Sequence, residues 1–187
     1  MLIFSAVCQG AGPDDLGNEA GRLLRRPVAE PTALLGLIAV RPVTDAVGFA
    51  ARLRELLHAA VLVARDADFD EEDVPVASLP GWFLDLDEAA AGRCVRDRGG
   101  EPWSTTEWIY AFDPELRAWS WWDATEGPGG RVPVWVDTRG EGHLPMEKPW
   151  WAVYAAGGED VLPSTLEEAG RWREWRTLAP EGDPQDT

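Results

Sequence analysis

The sequence predicts a single α+β domain with a mostly antiparallel, tryptophan-rich sheet onto which three to four helices pack. Two aromatic runs on either side of a turn, over residues 108–122, have the composition of a β-hairpin. Other short apolar runs have strand length, and further segments repeat apolar residues at helical spacing. With 187 residues, 45% of them hydrophobic, the chain suits one domain over residues 1–179. Residues 180–187 have the composition of a disordered tail.

The hairpin predicted over residues 108–122 is expected to form the centre of the sheet. Pro114 restricts φ to about −65°, which excludes the tight two-residue turns and favours a longer loop. With a four-residue loop at 114–117, Phe112 faces Trp119 and one face of the hairpin is almost wholly aromatic. A three-residue loop would shift the register and divide the rings between both faces.

The N-terminal half alternates between strand-like and helix-like segments. In order, we expect a strand at 2–8, a helix that begins at Asp14 or Asp15, a strand at 34–40, a helix from Thr44 or Asp45 to about His58, and a strand at 60–64. The last of these also fits an extension of the preceding helix. We favour a strand because Val61 and Val63 are β-branched.

The C-terminal half contains the remaining elements. We expect a short strand or loop at 82–84, a helix from Asp85 or Asp87 to about Arg98, strands at 132–136 and 150–155, and a helix from Ser164 to Leu178. Alternation places Val132, Val134 and Val136 on one face of their strand and Trp135 on the other. Ser164 and Glu167 have the spacing of a capping box.

The net charge of −16 and the isoelectric point of about 4.4 limit the classes of partner. A negative field repels nucleic acids and anionic membranes and attracts basic proteins, although the same charge also serves solubility. No apolar run has the length of a membrane span, and residues 1–5 lack the basic leader of a secretory signal. Cys8 and Cys94 are the only cysteines and are expected to be free thiols. These features predict a cytoplasmic protein.

An acidic segment at residues 66–73 is a candidate binding loop. Aspartates at every second position resemble the opening of a calcium loop, but Glu71 replaces the required glycine and Ala77 the required bidentate acid. The sequence therefore contradicts an EF-hand and leaves open whether another cation binds. The segment is either a solvated loop or a docking site for a basic partner, with these candidate residues: Asp68, Asp70, Glu71, Glu72 and Asp73.

The eleven tryptophans suggest a second candidate surface. Neighbouring residues of a strand point to opposite faces, so adjacent indoles predict aromatic rings on both faces of the sheet. Three or four helices would cover one face fully and the other in part. Trp122, Trp135 and Trp151 are then expected to be accessible and to form a binding patch.

Catalytic candidates are few. His143 lies in a polar segment with Glu141 and follows Asp137, and these three residues are the weak candidates for acid–base chemistry. His58 is expected to have a structural role. Neither histidine has partners at metal-ligand spacing, and we expect no metal and no cofactor. Whether the protein is an enzyme stays open, with a non-enzymatic role favoured.

These observations favour an acidic binding module for a basic partner protein, in the manner of an inhibitor or immunity protein. The first alternative is a protein that binds a small ligand or carbohydrate on exposed tryptophan faces. The second alternative is a small hydrolase that uses His143 and the neighbouring carboxylates.

Overall fold

The computed structural model describes residues 13–31, 34–70, 74–85, 88–102, 104–140 and 147–178. The predicted α+β class is confirmed, because the described residues form one antiparallel sheet of five strands with seven helices. The elements are α1 (Pro13–Leu24), β1 (Leu34–Pro42), α2 (Ala46–Asp66), α3 (Gly81–Leu84), α4 (Glu88–Arg98), α5 (Thr105–Ile109), β2 (Ser120–Ala124), β3 (Val132–Asp137), α6 (Glu147–Ala155), β4 (Gly158–Val161), β5 (Thr165–Glu168) and α7 (Ala169–Arg173). None of these helices is both long and apolar enough to span a bilayer.

The nine-residue strand β1 lies at the centre of the sheet, whose strand order is β2-β3-β1-β4 with β5 also paired to β1. Its antiparallel register with β3 aligns Ile38 with Val134 and Leu37 with Trp135. Strand β2 pairs with the other side of β3 and has an irregularity between Trp121 and Asp123. The central strand β1 therefore pairs with segments that are distant in sequence, whereas β2 and β3 are joined by a short connection.

The two faces of the sheet carry two different cores. The larger core includes Val132, Val134 and Val136 and packs against α1, α2 and α6. The smaller core, on the other face, contains Trp122 and Trp135 and is covered by α7 through Trp172. Both the alternation along residues 132–136 and the presence of indole rings on both faces are confirmed.

The central hairpin predicted over residues 108–122 is wrong. Ser104 and Glu107 form a reciprocal capping box that starts helix α5, and a 3₁₀ turn follows at Tyr110–Phe112. Only the second aromatic run becomes a strand, β2. Phe112 still meets the neighbouring rings, at 4.7 Å from Trp108 and 5.5 Å from Trp119 between ring centroids. The rings meet across a helical turn and a loop and not across a hairpin.

Several other element boundaries also differ from the sequence prediction. Helix α2 continues to Asp66, so residues 60–64 are helical, and residues 150–155 belong to helix α6. Residues 82–84 lie in the short helix α3, and β5 replaces the start of the helix predicted from Ser164. β-Branched and aromatic residues accept either structure when tertiary packing buries them. The predicted three to four helices became seven because α3, α5 and α6 form in segments for which a short strand or loop, a hairpin and a strand were predicted.

Helix α1 is attached to the edge of the sheet by buried charge. Arg117 donates two hydrogen bonds, of 2.7 and 2.8 Å, to the carboxylate of Glu19 in α1. The same carboxylate accepts the backbone N–H of Trp121 in β2 at 2.6 Å, and Arg22 donates to the Trp121 carbonyl at 2.9 Å. Side chains of α1 thus form hydrogen bonds with backbone groups on the outer edge of β2. These groups are then not available for pairing with a strand of another chain.

The strand at 2–8, its following loop, Cys8 and the tail at 180–187 lie outside the described residues. Cys94 is a free cysteine in α4. The single-domain boundary at residue 179 stays a prediction.

Candidate functional site

A groove of about 730 Å³ follows one face of helix α2. Its first wall is the C-terminal end of α1, with Leu23 and Leu24, and its second wall is the segment of residues 75–80. Ligand-binding concavities commonly have volumes of about 300–1,000 Å³ and a mainly apolar lining. We therefore take this groove as the candidate site.

Helix α2 can form the floor of the groove because it has two different faces. Asp45 caps its first turn by accepting the backbone N–H of Gly48 at 2.8 Å. One face is buried in the core through large apolar residues such as Phe49 and Leu53. The groove face carries residues at helical spacing, most of them small or polar: Ala51, Arg54, Glu55, His58, Ala59, Leu62, Val63 and Asp66.

Two carboxylates contribute negative charge to this groove. Glu55 is exposed and accepts a 2.9 Å hydrogen bond from the indole N–H of Trp82. Asp66 is exposed at the end of α2, where a hydrogen bond from Arg65 lowers the pKa of its carboxyl group. Such an exposed ion pair contributes little stabilising free energy, so Asp66 stays available to a competing cation.

The basic side chains that line the groove add little positive charge. Arg54 turns into the protein and donates to the buried carboxylate of Asp123 at 2.9 Å, with 4% of its side chain exposed. Burial lowers the pKa of His58 below the usual value of 6.5, and the nearby charge of Arg65 lowers it further. His58 is therefore mainly neutral at pH 7.

Trp82 provides a partly exposed aromatic ring beside the groove. It belongs to α3, and the guanidinium of Arg52 lies 4.1 Å from its ring centroid. A shallower depression next to the groove is lined by Trp82, Arg52, Glu55 and Ala51. The candidate site therefore extends from the groove to this ring.

The tryptophans predicted to be accessible are buried. Trp122, Trp135 and Trp151 expose 2%, 0% and 5% of their surface, so the expectation that they form an open patch is wrong. On the second face of the sheet, Trp172 packs edge-on against Trp122, and Trp175 against Trp135, each at 5.5 Å. Trp151 is enclosed by the main core. Two of these three errors arise because Trp172 in α7 and Trp175 just after it cover the face of the sheet that the sequence analysis left partly open.

The acidic loop begins next to the groove. Asp68 and Asp70 are exposed and lie two and four residues after Asp66, with the backbone N–H of Asp70 donating to the Asp68 carboxylate at 3.0 Å. Glu71, Glu72 and Asp73 lie outside the described residues. Across the described parts of the chain, no group of three or more His, Cys, Asp or Glu side chains is arranged to hold a metal ion.

The catalytic candidates can be located only in part. Asp137 ends β3, is half-buried, and accepts the backbone N–H of Arg139 at 2.8 Å. Glu141 and His143 lie outside the described residues, so a role for them in hydrolysis stays a prediction.

Sequence reasoning missed the main residues of the groove. It ended α2 near His58, and it therefore could not align Glu55, Leu62 and Asp66 on one helical face. Their spacing of seven and four residues is the signal that a longer helix would have revealed. No family model, curated protein or solved structure matches this chain. We therefore base the proposed function on the groove itself.

Proposed function

We propose that this protein is an acidic binding module that holds a basic partner protein in the α2 groove. The observation that carries the proposal is the combination of a 730 Å³ groove, largely apolar in its lining, with the carboxylates of Glu55 and Asp66 in a chain of net charge −16. Apolar contacts supply affinity, while complementary charge accelerates encounter and selects the partner.

The acidic loop adds to this recognition surface. Asp68 and Asp70 continue the negative charge beyond the end of α2, where they meet solvent. Exposed acids at the rim of an interface act mainly on the association rate and its salt dependence. Glu71, Glu72 and Asp73 extend the same proposal along the loop. The three buried tryptophans contribute as core residues in this proposal, and Trp82 takes the place of the accessible ring.

An inhibitor or immunity role is the more specific form of the proposal. A basic enzyme that binds acidic substrates has a cationic active site, which an acidic module of this kind would cover. A cytoplasmic, reducing location is part of this proposal and accords with the free thiol of Cys94.

A comparison of three versions of the protein tests the proposal. The wild type, a groove variant (Glu55→Lys with Asp66→Lys) and a control variant (Glu159→Lys with Glu174→Lys) are used as affinity baits in lysate of the native host. Both variants change the net charge equally, and the control residues are exposed outside the groove. We expect a basic protein, in stoichiometric complex, to be retained by the wild type and the control and lost by the groove variant.

The same complex should be sensitive to ionic strength. Its purified components should associate more slowly and more weakly as NaCl rises from about 0.05 to 0.5 M, because salt screens exposed charges. If the partner has an enzymatic activity, stoichiometric addition of this protein should abolish it. If the groove and control variants lose partner binding to the same extent, the attraction depends on total charge, and this result would contradict a role for the groove.

A small polar ligand is a second candidate because of a separate cavity between α4 and α6. This cavity of about 180 Å³ is lined by aromatic rings, Trp150 and Trp151, together with charged Arg98, Glu101 and Glu147. Aromatic faces beside carboxylates suit a sugar or polyol. A rise in melting temperature with a monosaccharide, lost in a Trp150→Ala variant, would favour this candidate.

A further inference from the structure

The shape of the α2 groove limits the kind of segment that can occupy it. Its floor runs from Ala51 to Asp66 on one helix, which corresponds to about 22 Å along the helix axis. The other lining residues come from two segments, the C-terminal end of α1 and residues 75–80. A linear groove of this length suits one extended element of a partner.

The two carboxylates of the groove lie at a defined separation. Glu55 and Asp66 are eleven residues apart, which is close to three full turns of α2. They therefore share one face of the helix and are separated by about 16 Å along its axis. Between them the floor contains Ala59 and Leu62 together with His58, which is mainly neutral at pH 7. The surface therefore carries one carboxylate at each end, with apolar residues between them.

A helix matches this pattern better than a strand does. Two cationic residues on a helix at positions i and i+11 lie on one face with the same separation of about 16 Å. On a strand, about five residues cover that distance, and residues five apart point to opposite faces. A lone strand would also bring backbone N–H and C=O groups without partners into an apolar groove, whereas a helix satisfies them internally.

We infer that the α2 groove binds an amphipathic helix of the partner, about four turns long, with Lys or Arg at positions i and i+11 and apolar residues at i+4, i+7 and i+8. This inference rests on the proposed function and specifies its partner. The cations pair with Glu55 and Asp66, and the apolar residues lie on Ala59 and Leu62 between the two walls. At the Asp66 end, the incoming cation replaces the exposed contact with Arg65.

Three synthetic helical peptides of 16 residues test this inference with the full-length protein. The first has Lys at i and i+11 and an apolar stripe between them. The second has the same composition but carries the second Lys at i+9, on the opposite face of the helix. The third replaces both Lys residues with Glu. Binding is measured by calorimetry at 0.05 and 0.3 M NaCl.

We expect the first peptide to bind about five-fold more tightly than the second, the size of one exposed ion pair. The third peptide should bind most weakly. Asp66→Lys should weaken binding of the first peptide by about ten-fold, because repulsion replaces attraction. Exchange of one Lys for Glu, at i or at i+11 according to the direction of the bound helix, should restore binding to that variant. A single control substitution outside the groove, Glu159→Lys, should bind the first peptide like the wild type.

The outcomes separate this inference from the proposed function. Equal, salt-sensitive binding of both lysine peptides, lost in the groove variant, would refute the helical register but keep the groove as a site for basic segments. Lysine peptides that bind no better than the glutamate peptide would overturn both. A concentration-dependent dimer that Leu62→Glu dissociates would show that a second copy occupies the groove, and this result would also overturn the inference.

Discussion

The buried pair of Glu19 and Arg117 allows a quantitative test of how α1 is held to the sheet. Glu19 and Arg117 expose 1% and 0% of their side chains, and Arg117 lies 4.4 Å from the ring centroid of Phe112 and 4.1 Å from that of Trp119. The carboxylate also accepts the N–H of Trp121. Substitution Glu19→Ala therefore removes the partner of a buried cation and the acceptor of a buried N–H in one step.

The expected cost follows from these two losses. A buried ion pair that loses one partner destabilises a protein by about 3–5 kcal/mol, and an unsatisfied buried N–H costs about 1–3 kcal/mol. Both losses involve one carboxylate, so they do not simply add. We expect Glu19→Ala to lower the free energy of unfolding by about 4–6 kcal/mol. That is a large part of the roughly 5–15 kcal/mol typical of a domain.

A second variant separates charge burial from hydrogen bonding. In Glu19→Leu with Arg117→Met, the buried cation of Arg117 is removed together with its partner, and apolar side chains of similar size fill the space. Replacement of a buried pair by apolar residues is often neutral. We therefore expect the double variant to be more stable than Glu19→Ala and to retain only the loss of about 1–3 kcal/mol from the Trp121 N–H.

Urea denaturation followed by both circular dichroism and tryptophan fluorescence measures these differences. Coincident transitions allow the two-state analysis. A loss below about 1 kcal/mol for Glu19→Ala would refute the burial argument. So would a double variant that is as unstable as the single one, because the uncompensated charge would then not be the cause.

Two further predictions concern a thiol and a close backbone contact. Burial raises the pKa of Cys94 to about 11 from 9.0, so in a Cys8→Ser variant its reaction with a disulfide reagent at pH 8 should be about 100-fold slower than after unfolding in guanidinium. The rate should still rise above pH 9, and equal rates before and after unfolding would contradict this. A Cβ at Gly158 would lie 2.9 Å from Val153 and Val40; Gly158→Ala should therefore lower the unfolding free energy by about 1–3 kcal/mol. Gly170→Ala, where a Cβ meets no atom within 4 Å, should be neutral or stabilising by up to about 1 kcal/mol, and equal destabilisation of both variants would refute the steric argument.

Local patterns predicted some elements well and others poorly. The strand at 132–136 was identified because valines on one side and Trp135 on the other require a period of two. The run at 108–112 was misassigned because Trp108 and Phe112 are also one helical turn apart, and the pair can meet on a helix. Ser104 and Glu107 carried the better signal, since their capping box starts α5.

The candidate site was harder to predict than the fold. Its floor depends on where α2 ends, and its walls come from two segments that α2 meets only in the folded chain. The acidic loop was visible as a charge cluster, but its position beside an apolar groove was not. The exposure of a ring is equally non-local, because Trp122 is covered by Trp172, which lies fifty residues further along the chain.

The sequence by itself determined the net charge, the α+β class, the strand at 132–136 and the division of indole rings between two sheet faces. These properties depend on composition and on short periods, which act between near neighbours. The tertiary structure decided which aromatic runs became helices, which rings were covered and where a groove remained. Those outcomes depend on contacts between distant segments, since valine and tryptophan pack in either a helix or a strand and burial selects between them.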